Sequence, residues 1–199
     1  MSNVLHYINL AHRTDRNEFM KIELSEQEIE GMRWDGIIYG ESFTQKKIGI
    51  NLAHKKIIQY AKENKLPYVR IAEDDLRFFK GDAWKFYLDN QPESFDIYFG
   101  MIYLGKIGEN NRLLSEASGF TLYTVHERFY DAFLGVPEKG HIDRTVTALY
   151  KDYEFYVCPE FVCEQRMSKS DNNGTTVDLR RFLHGRKIFG DPKLYELPL

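Results

Sequence analysis

The feature that most constrains the fold is a long amphipathic helix that leads directly into a short apolar strand. In "KIGINLAHKKIIQYAKENK", apolar side chains recur at three- and four-residue spacing over residues 50–61, which predicts a helix with one buried face. Pro67 stops the helix, and "YVRIA" supplies the β-branched and aromatic residues typical of a strand. That strand ends at three consecutive carboxylates, Glu73, Asp74 and Asp75.

Strand-like and helix-like segments alternate along the rest of the chain. Helical patterns follow the first strand candidate and recur in "HERFYDAFLG" and "IDRTVTALYKD". The other strand candidates are "VLHYINL" (4–10), "GIIYG" (36–40), "FDIYFG" (95–100), "GFTLYTV" (119–125) and "EFYVCP" (154–159). This alternation predicts an α/β fold, a Rossmann-like domain with a mostly parallel central sheet flanked by helices.

Length and composition predict one domain over residues 1–199. The chain is 43% hydrophobic, enough for one core but with too few residues for two full-sized domains. From residue 167 onward it is rich in Ser, Asn, Gly, Arg and Lys, which predicts an irregular C-terminal segment that packs back on the domain or covers a site. The two cysteines, Cys158 and Cys163, form neither a disulfide framework nor a metal cluster.

Charge and hydropathy limit the classes of partner that this protein is expected to have. A formal net charge of -3 gives no global basic field, so a nucleic-acid partner is not expected. No basic N-terminal region precedes an apolar stretch, and no run approaches the roughly 20 apolar residues of a membrane span. We therefore expect a cytoplasmic protein that works at a membrane only peripherally.

The acidic triplet predicts a ligand site. Ligands of open α/β sheets bind outside the carboxyl ends of the strands, where Glu73, Asp74 and Asp75 are expected. Neighbouring carboxylates become tolerable when a divalent cation neutralises them, and oxygen ligands suit Mg²⁺ or Mn²⁺, with a nucleotide diphosphate completing the shell. The alternative is that they cap the next turn or pair with Arg70 and Arg77.

A second candidate cluster lies just beyond the first strand. The segment "NLAHRTDR" places Arg13 and Arg16 there, and guanidinium groups bind phosphate oxygens through paired hydrogen bonds. The alternative is a solvated helix start in which Asp15 pairs with a neighbour.

Taken in order, five segments resemble glycosyltransferase family 25, the lipopolysaccharide and collagen sugar transferases. "INLAHRTDR" is similar to the family's "INL..R.DR", and "KIGINLAHKKIIQYAKENKLPYVRIAEDD" to its "EIGC..SH...w......PY..vlEDD". "GFTLYTVHERFYDAFL", "HIDRTV" and "FYVCPEFVCEQRMSKSDN" resemble its later "aYlis..ga..ll", "pvD" and "VYAV.P.lv.Q...SDI" segments. Two departures are that Asn51-Leu52-Ala53 replace the usual Cys and Ser, and that no proline precedes the Asp143 motif.

The resemblance implies a GT-A fold, a UDP-hexose donor, inversion at the anomeric carbon and a divalent metal at the triplet. It makes Asp75 the main metal ligand and brings Glu73 near the ribose or a metal-bound water, with Asp74 near the sugar hydroxyls. In "RRFLHGRK", His184 becomes a candidate late metal ligand, although a surface histidine is the alternative.

The remaining donor-site candidates are Asn9, Arg13 and Arg16 after the first strand, and His54 on the apolar side of the long helix. His54 is expected to be a buried histidine hydrogen-bonded near the donor site. The basic residues of the tail could hold the diphosphate or a phosphorylated acceptor, or form a solvated basic face: Arg180, Arg181, Arg186 and Lys187.

Inverting transfer needs a base that takes the proton of the acceptor hydroxyl. Asp143 is the candidate, since it stands before a helical pattern at the place of the family's "pvD" aspartate; capping that helix is the alternative. Asp171 in "SKSDN" is the next candidate.

The predicted function is metal-dependent transfer of a hexose, galactose or glucose, from a UDP-sugar to a hydroxyl of a glycan, lipooligosaccharide or protein. Two alternatives stay open. A nucleotide-binding protein without transferase activity would keep the triplet and lack a working base. A nucleic-acid-modifying glycosyltransferase would add a basic acceptor groove, against which the net charge of -3 argues mildly.

Overall fold

The chain alternates between strands and helices through its first half, and the computed structural model describes residues 4–171 and 174–190. Strands in that part are β1 (Val4–Asn9), β2 (Glu30–Asp35), β3 (Tyr68–Glu73), β4 (Leu76–Phe78), β5 (Ile97–Phe99), β6 (Leu122–His126), β7 (Phe155–Val157), β8 (Cys163–Gln165), β9 (Ser168–Lys169) and β10 (Thr176–Val177). Its α-helices are α1 (Thr14–Glu26), α2 (Phe43–Glu63), α3 (Ala83–Asp89), α4 (Tyr130–Gly135) and α5 (Ile142–Thr147). Short 3₁₀ turns lie at Glu109–Asn111, Glu127–Phe129 and Arg180–Leu183.

The central sheet has six strands in the order β2-β1-β3-β6-β5-β7. Strand β6 runs antiparallel to both of its neighbours, whereas the β1–β2, β1–β3 and β5–β7 pairs are parallel. Five of the six strands therefore point the same way. The predicted α/β class with a mostly parallel central sheet is confirmed.

The direction of winding changes between β1 and β3. From β1 the chain passes through α1 to β2 on one side, then through α2 to β3 on the other side of β1. Such a switch point opens a crevice at the carboxyl ends of the two strands. Because Ile8 pairs with Glu73, Asn9 and the acidic triplet lie next to each other at that crevice.

Helix α2 has a defined start and a constrained packing position. The Ser42 side chain accepts from the Gln45 backbone N–H, and Gln45 reaches back to the Ser42 N–H, which forms a capping box. One turn further, a Cβ on Gly49 would lie 2.1 Å from the Ile37 carbonyl oxygen. Only glycine therefore lets the segment after β2 pass this close to the helix.

Aromatic side chains fill much of the core. The Tyr87 and Tyr98 rings stack with centroids 4.6 Å apart, and the Tyr87 hydroxyl donates to the Tyr98 carbonyl oxygen at 2.8 Å. On β6, Tyr123 is fully buried, and its ring centroid lies 4.4 Å from that of Phe120. Each such side chain contributes about 1.5–3 kcal/mol through burial. The pair Phe120 and Tyr123 also supports the candidate site described below.

One predicted strand is wrong. Residues 36–40 form a loop, and the edge strand is Glu30–Asp35 instead. Strand β1 ends at Asn9, which pairs with Asp35, so the chain beyond Asp35 has no strand to pair with. The apolar Ile38 and Tyr39 are exposed, at 71% and 55% of their surface.

The described part of the predicted irregular tail contains little regular structure. The short strands β9 and β10 pair antiparallel, and a 3₁₀ turn follows. Leu183 and Ile188 are buried, so this part of the tail packs onto the core. Residues 172–173 and 191–199 lie outside the described residues. Among the helices of the described ranges, none combines the length and the hydropathy that a membrane crossing requires.

Candidate functional site

Asp74 is the most tightly held member of the triplet. Its Oδ2 accepts a hydrogen bond from Asn9 Nδ2 at 2.8 Å, and its Oδ1 accepts from an Arg16 guanidinium nitrogen at 2.7 Å. Burial raises the pKa of Asp74, while the charge and hydrogen bond of Arg16 act in the opposite direction. Both oxygens of this carboxylate are used within the protein.

Asp75 is buried, and only one of its two carboxylate oxygens has hydrogen-bond partners among the described residues. Its Oδ2 accepts from Gln165 Nε2 at 2.7 Å and lies 3.2 Å from the same Arg16 nitrogen. Its Oδ1 is buried and has no hydrogen-bond partner among the described residues. Burial raises the pKa of Asp75 to about 7, and the charge of Glu73 acts in the same direction. Negative charge is therefore held here at an energetic cost.

Arg16 is the counter-charge of the triplet. Besides its contacts to Asp74 and Asp75, it donates to Ser168 Oγ at 2.7 Å and to the Lys169 carbonyl oxygen at 3.2 Å. Arg16 thus ties the start of α1 to the triplet and to the late segment around β9.

Among the described residues the triplet forms no ion pair with Arg70 or Arg77, which was the alternative predicted from the sequence. Arg77 pairs with Glu164 at 3.1 Å, and the Arg70 guanidinium lies over the Tyr68 ring at 4.5 Å. Arg70 lies on β3 and Arg77 on β4, and the turn at 74–75 separates these two strands.

Asn9 orients the triplet from the end of β1. It is 1% exposed, and its Nδ2 donates to Asp74 and to the Arg13 carbonyl oxygen. Its Oδ1 accepts from Arg33 Nε at 3.0 Å. With its amide fully engaged, Asn9 fixes the loop between β1 and α1 against the acidic residues.

A cavity of about 640 Å³ opens beside Arg13. Its volume lies within the range of small-molecule sites. Arg13 donates to both oxygens of Asp15 and, at 2.5 Å, to Asp171 Oδ2, while Lys46 Nζ donates to the Asp171 carbonyl oxygen at 2.8 Å. The residues lining this nucleotide-sized cavity are Arg13, Asp15, Lys46, Lys169, Ser170, Asp171 and Gly174.

A second cavity of about 90 Å³ is lined by Glu73 of the triplet. It has room for a few water-sized groups and no more. Two carboxylates, Glu73 and Asp143, reach it from different parts of the chain. The residues lining this small polar cavity are Lys47, Ile50, Asn51, Glu73, Phe120, Gly140, His141, Ile142 and Asp143.

Asp143 is held by backbone donors. Its Oδ2 accepts from the Gly119 N–H at 2.9 Å and its Oδ1 from the Arg144 N–H at 2.8 Å. Burial raises the pKa of Asp143, the two N–H groups lower it, and the charge of Glu73 raises it further. The N-cap residue of α5 is His141, so Asp143 lies inside the first turn rather than at the predicted capping position.

His54 is 1% exposed and lies behind Glu73. Its Nδ1 is 2.6 Å from the Tyr123 hydroxyl, and its Nε2 is 3.7 Å from Glu73 Oε1. The tautomer with the proton on Nε2 fits both neighbours, because Tyr123 then donates to Nδ1 while Nε2–H faces the carboxylate. His54 supports Glu73 from behind and does not line either cavity.

The predicted metal ligands are not gathered into one group. His184 is exposed at the end of the last 3₁₀ turn. Within 4–171 and 174–190, no three His, Cys, Asp or Glu side chains are arranged to hold a metal ion. Glu73 turns into the small polar cavity, whereas Asp75 turns towards Arg16 and Gln165. A cation at the triplet would fit the unpartnered Oδ1 of Asp75 and would take its other ligands from a bound molecule.

The basic residues of the tail do not line either cavity. Arg180 pairs with Asp178 at 2.7 Å, and Arg186 donates to the Gly105 carbonyl oxygen at 2.9 Å. Arg181 lies over the Phe182 ring at 4.8 Å.

Lys46, Asn51 and Gln165 are among the residues at the site that were not predicted from the sequence. Each reaches the site by tertiary contact with a segment far away in the chain. Asn51 carried a usable signal, since it lies three residues before His54 on α2 and a polar side chain there interrupts the apolar face.

Comparison with known proteins finds similarity in structure only. No protein-family model matches the sequence, and no curated protein matches it. Among solved structures, A197 from STIV has a TM-score of 0.47 and 14% identity, over 79% of this chain and 81% of that one. A mutant of Drosophila galactosyltransferase 7, in complex with manganese, UDP-Gal and xylobiose, has a TM-score of 0.49 and 11% identity, over 100% and 81%. A glycosyltransferase involved in glycosylation of the major capsid of PBCV-1 has a TM-score of 0.41 and 10% identity, over 65% of this chain and 62% of that one.

Proposed function

We propose that the protein transfers a hexosyl group from a UDP-sugar to a hydroxyl acceptor, with inversion at the anomeric carbon. The observation that carries the proposal is that the acidic triplet is connected to both cavities. Asp74 and Asp75 pair with Arg16, which also donates to the carbonyl oxygen of Lys169 in the lining of the nucleotide-sized cavity. Glu73 lines the small polar cavity together with Asp143. This arrangement suits a donor whose diphosphate lies beside Arg13 and Lys46 and whose sugar hydroxyls reach Glu73, and the family 25 resemblance of the sequence points to the same chemistry.

The nucleotide-sized cavity offers the cations that a diphosphate requires. Arg13, Lys46 and Lys169 line it, and Asp171 currently accepts hydrogen bonds from the first two of them. A bound diphosphate would take over these donors, because its oxygens carry more charge than one carboxylate. Binding then displaces Asp171 from Arg13.

A divalent cation fits this site through Asp75. The buried Oδ1 of Asp75 has no partner among the described residues, and a cation there would neutralise the triplet and stabilise the leaving diphosphate. Arg16 and Gln165 hold the other oxygen of Asp75 in place, so the carboxylate is presented in one orientation. His184 has no role in this proposal.

Asp143 is the proposed base. It takes the proton of the acceptor hydroxyl as that oxygen bonds to the anomeric carbon, and the bond from the anomeric carbon to UDP breaks with its electrons on the phosphate. Two backbone N–H groups keep the carboxylate in place, and its raised pKa makes it a better proton acceptor. Glu73, backed by His54, binds sugar hydroxyls beside it.

The Asp143→Asn variant tests whether Asp143 acts as the general base or only binds substrate. The variant should keep UDP affinity within about threefold and reduce transfer by roughly 10²-fold or more, the usual contribution of a positioned base. UDP affinity is measured by calorimetry with Mn²⁺, and transfer by mass spectrometry with UDP-galactose and UDP-glucose against a panel of saccharide acceptors. Asp89→Asn, at an exposed aspartate on α3, is the matched control.

Three outcomes would change the proposal. Wild-type transfer rates in Asp143→Asn would refute its role as base and move the search to Asp171. UDP binding by the wild type without hydrolysis or transfer of any donor would favour a nucleotide-binding protein. Absence of UDP binding with and without Mn²⁺ would remove the proposed donor.

A further inference from the structure

One face of α2 leads from the protein surface into the small polar cavity. Phe43, Lys47 and Asn51 follow each other at intervals of four residues, so they lie on the same side of the helix. Phe43 is 48% exposed and Asn51 is 0% exposed. At 1.5 Å per residue, the distance along the helix from Phe43 to Asn51 is about 12 Å. We call this face and the segment opposite it the α2 groove.

The opposite wall of the α2 groove is the segment that precedes Asp143. The His141 ring lies edge-on to Phe43 with centroids 6.1 Å apart, and the Gly140 carbonyl oxygen accepts from Asn51 Nδ2 at 3.2 Å. His141, Gly140 and Asp143 all line the small polar cavity together with Lys47 and Asn51. The groove therefore has an aromatic mouth and ends at the proposed base.

The floor of the groove contains an acceptor that lacks a donor. Asn51 Nδ2 is used twice, by the Lys47 carbonyl oxygen at 2.8 Å and by Gly140. Asn51 Oδ1 is buried and has no hydrogen-bond partner among residues 4–171 and 174–190. A buried polar atom without a partner is destabilising, and a hydroxyl group seated in the cavity would supply the missing donor.

We propose that the α2 groove binds the acceptor as an oligosaccharide of at least two sugar rings. The terminal ring lies at the mouth of the small polar cavity, where one of its hydroxyl groups enters to donate to Asn51 Oδ1 and the reacting hydroxyl meets Asp143. A preceding ring lies on Phe43, where its C–H groups pack on the aromatic face. This inference rests on the proposed transfer reaction and adds the class of acceptor to it.

The chemistry of the groove favours a carbohydrate over other long acceptors. Lys47 supplies a donor and lies 4.0 Å from the Phe43 ring centroid, while Asn51, Glu73 and Asp143 supply acceptors. This alternation of polar groups around one aromatic ring matches hydroxyl groups on a sugar. A nucleic acid would bring its phosphates against two carboxylates, and an acyl chain would leave the polar groups without partners.

The test compares acceptors of different length in wild type and Phe43→Ala. Because about 12 Å exceeds one pyranose ring, only a disaccharide reaches both ends of the groove. The acceptors are nitrophenyl glucoside and galactoside with the matching maltoside, cellobioside and lactoside. In the wild type the KM for the best disaccharide should be lower than that for its monosaccharide. The KM ratio is the KM for the monosaccharide divided by the KM for the matching disaccharide. Phe43→Ala should reduce this ratio by about tenfold, the equivalent of about 1.4 kcal/mol, and Phe43→Trp should restore it.

Two further measurements complete the test. Ile22→Ala, at an exposed apolar residue on α1, should leave the KM ratio unchanged. Saturation-transfer NMR with free lactose, maltose and cellobiose should show binding that Phe43→Ala weakens, which reports on the groove without requiring turnover.

The transfer reaction and the acceptor-binding role of the α2 groove can be refuted independently of each other. Transfer with the same KM ratio in wild type and Phe43→Ala would overturn the groove while leaving the transferase. Disaccharide binding that depends on Phe43, without transfer from any UDP-sugar, would support the groove and overturn the reaction. If the wild type neither binds nor glycosylates any saccharide of the panel, the groove inference is refuted.

Discussion

Replacing Asp75 with asparagine should stabilise the unliganded protein at high pH and abolish its cation-dependent binding of UDP. Asp75 is buried, only one of its oxygens has hydrogen-bond partners among the described residues, and its pKa is raised to about 7 by burial and by Glu73. Asparagine has almost the same shape and no charge. The substitution therefore removes the cost of a buried charge while keeping an oxygen for Gln165 and Arg16.

The size of the effect follows from the difference between the folded and unfolded pKa. Asp75 titrates at 3.8 when unfolded and at about 7 when folded, so the folded state binds the extra proton between these values and wild-type stability falls as pH rises through that window. At about 1.4 kcal/mol per pKa unit, the ionisation of Asp75 lowers the free energy of unfolding by about 4 kcal/mol at pH 8. At pH 5 the folded carboxyl is protonated while the unfolded one is charged, and the loss is about 2 kcal/mol. The free energy of unfolding of Asp75→Asn relative to wild type should therefore rise by about 2 kcal/mol from pH 5 to pH 8.

Urea unfolding of both proteins at pH 5 and pH 8 measures this difference. Titrating groups remote from Asp75 cancel in the comparison, and Asp89→Asn serves as an exposed control. In the presence of UDP and Mn²⁺ at about 100 times Kd, the wild type should gain about 2.7 kcal/mol, and Asp75→Asn or excess chelator should remove that gain. A variant whose stability runs parallel to wild type at both pH values would refute the buried-charge reasoning. Equal UDP affinity with Mn²⁺ and with chelator would remove the metal from the mechanism.

Two further predictions concern residues of the core and of helix α2 rather than the site itself. Gly49→Ala should lower the free energy of unfolding by about 1–3 kcal/mol, because its Cβ would lie 2.1 Å from the Ile37 carbonyl oxygen, although alanine is the better helix former; a variant as stable as wild type in urea would contradict this. Burial lowers the pKa of His6 to about 4, so stability should fall by up to about 3 kcal/mol as pH drops from 6.5 to 4, since only the unfolded state takes up the proton. His6→Asn, which does not titrate, should show a smaller decline over that range when unfolding is followed by tryptophan fluorescence.

The elements that could be predicted from the sequence are those with local signals. Helix α2 has a regular apolar period, Pro67 marks its end, and β3 is a short buried run, so the position of the triplet at a strand end was predictable. The edge strand β2 was not, because it pairs on one side only and its residues "EGMRWD" are mostly exposed. The apolar "GIIYG" beside it looked more like a strand, although it has no partner strand within the central sheet.

The contacts within the site could not be predicted, because they join distant parts of the chain. Arg16 lies 58 residues before Asp74, and Gln165 lies 90 residues after Asp75. The sequence predicted that Arg16 binds phosphate, which stays a prediction, whereas the structure gives it hydrogen bonds to two carboxylates. Only side-chain packing decides which of several nearby arginines meets a carboxylate.

The charge balance at the triplet explains why a cation and a nucleotide would bind together. When fully ionised, Glu73, Asp74 and Asp75 carry three negative charges, and Arg16 supplies one positive charge, which leaves an excess of two. A diphosphate alone would add to this excess and would be repelled at short range. A divalent cation alone would lack ligands, because Asp74 is already engaged by Asn9 and Arg16 while Glu73 faces the other cavity. Each ligand therefore supplies what the other needs, and UDP and the cation should bind with positive coupling, each raising the affinity measured for the other.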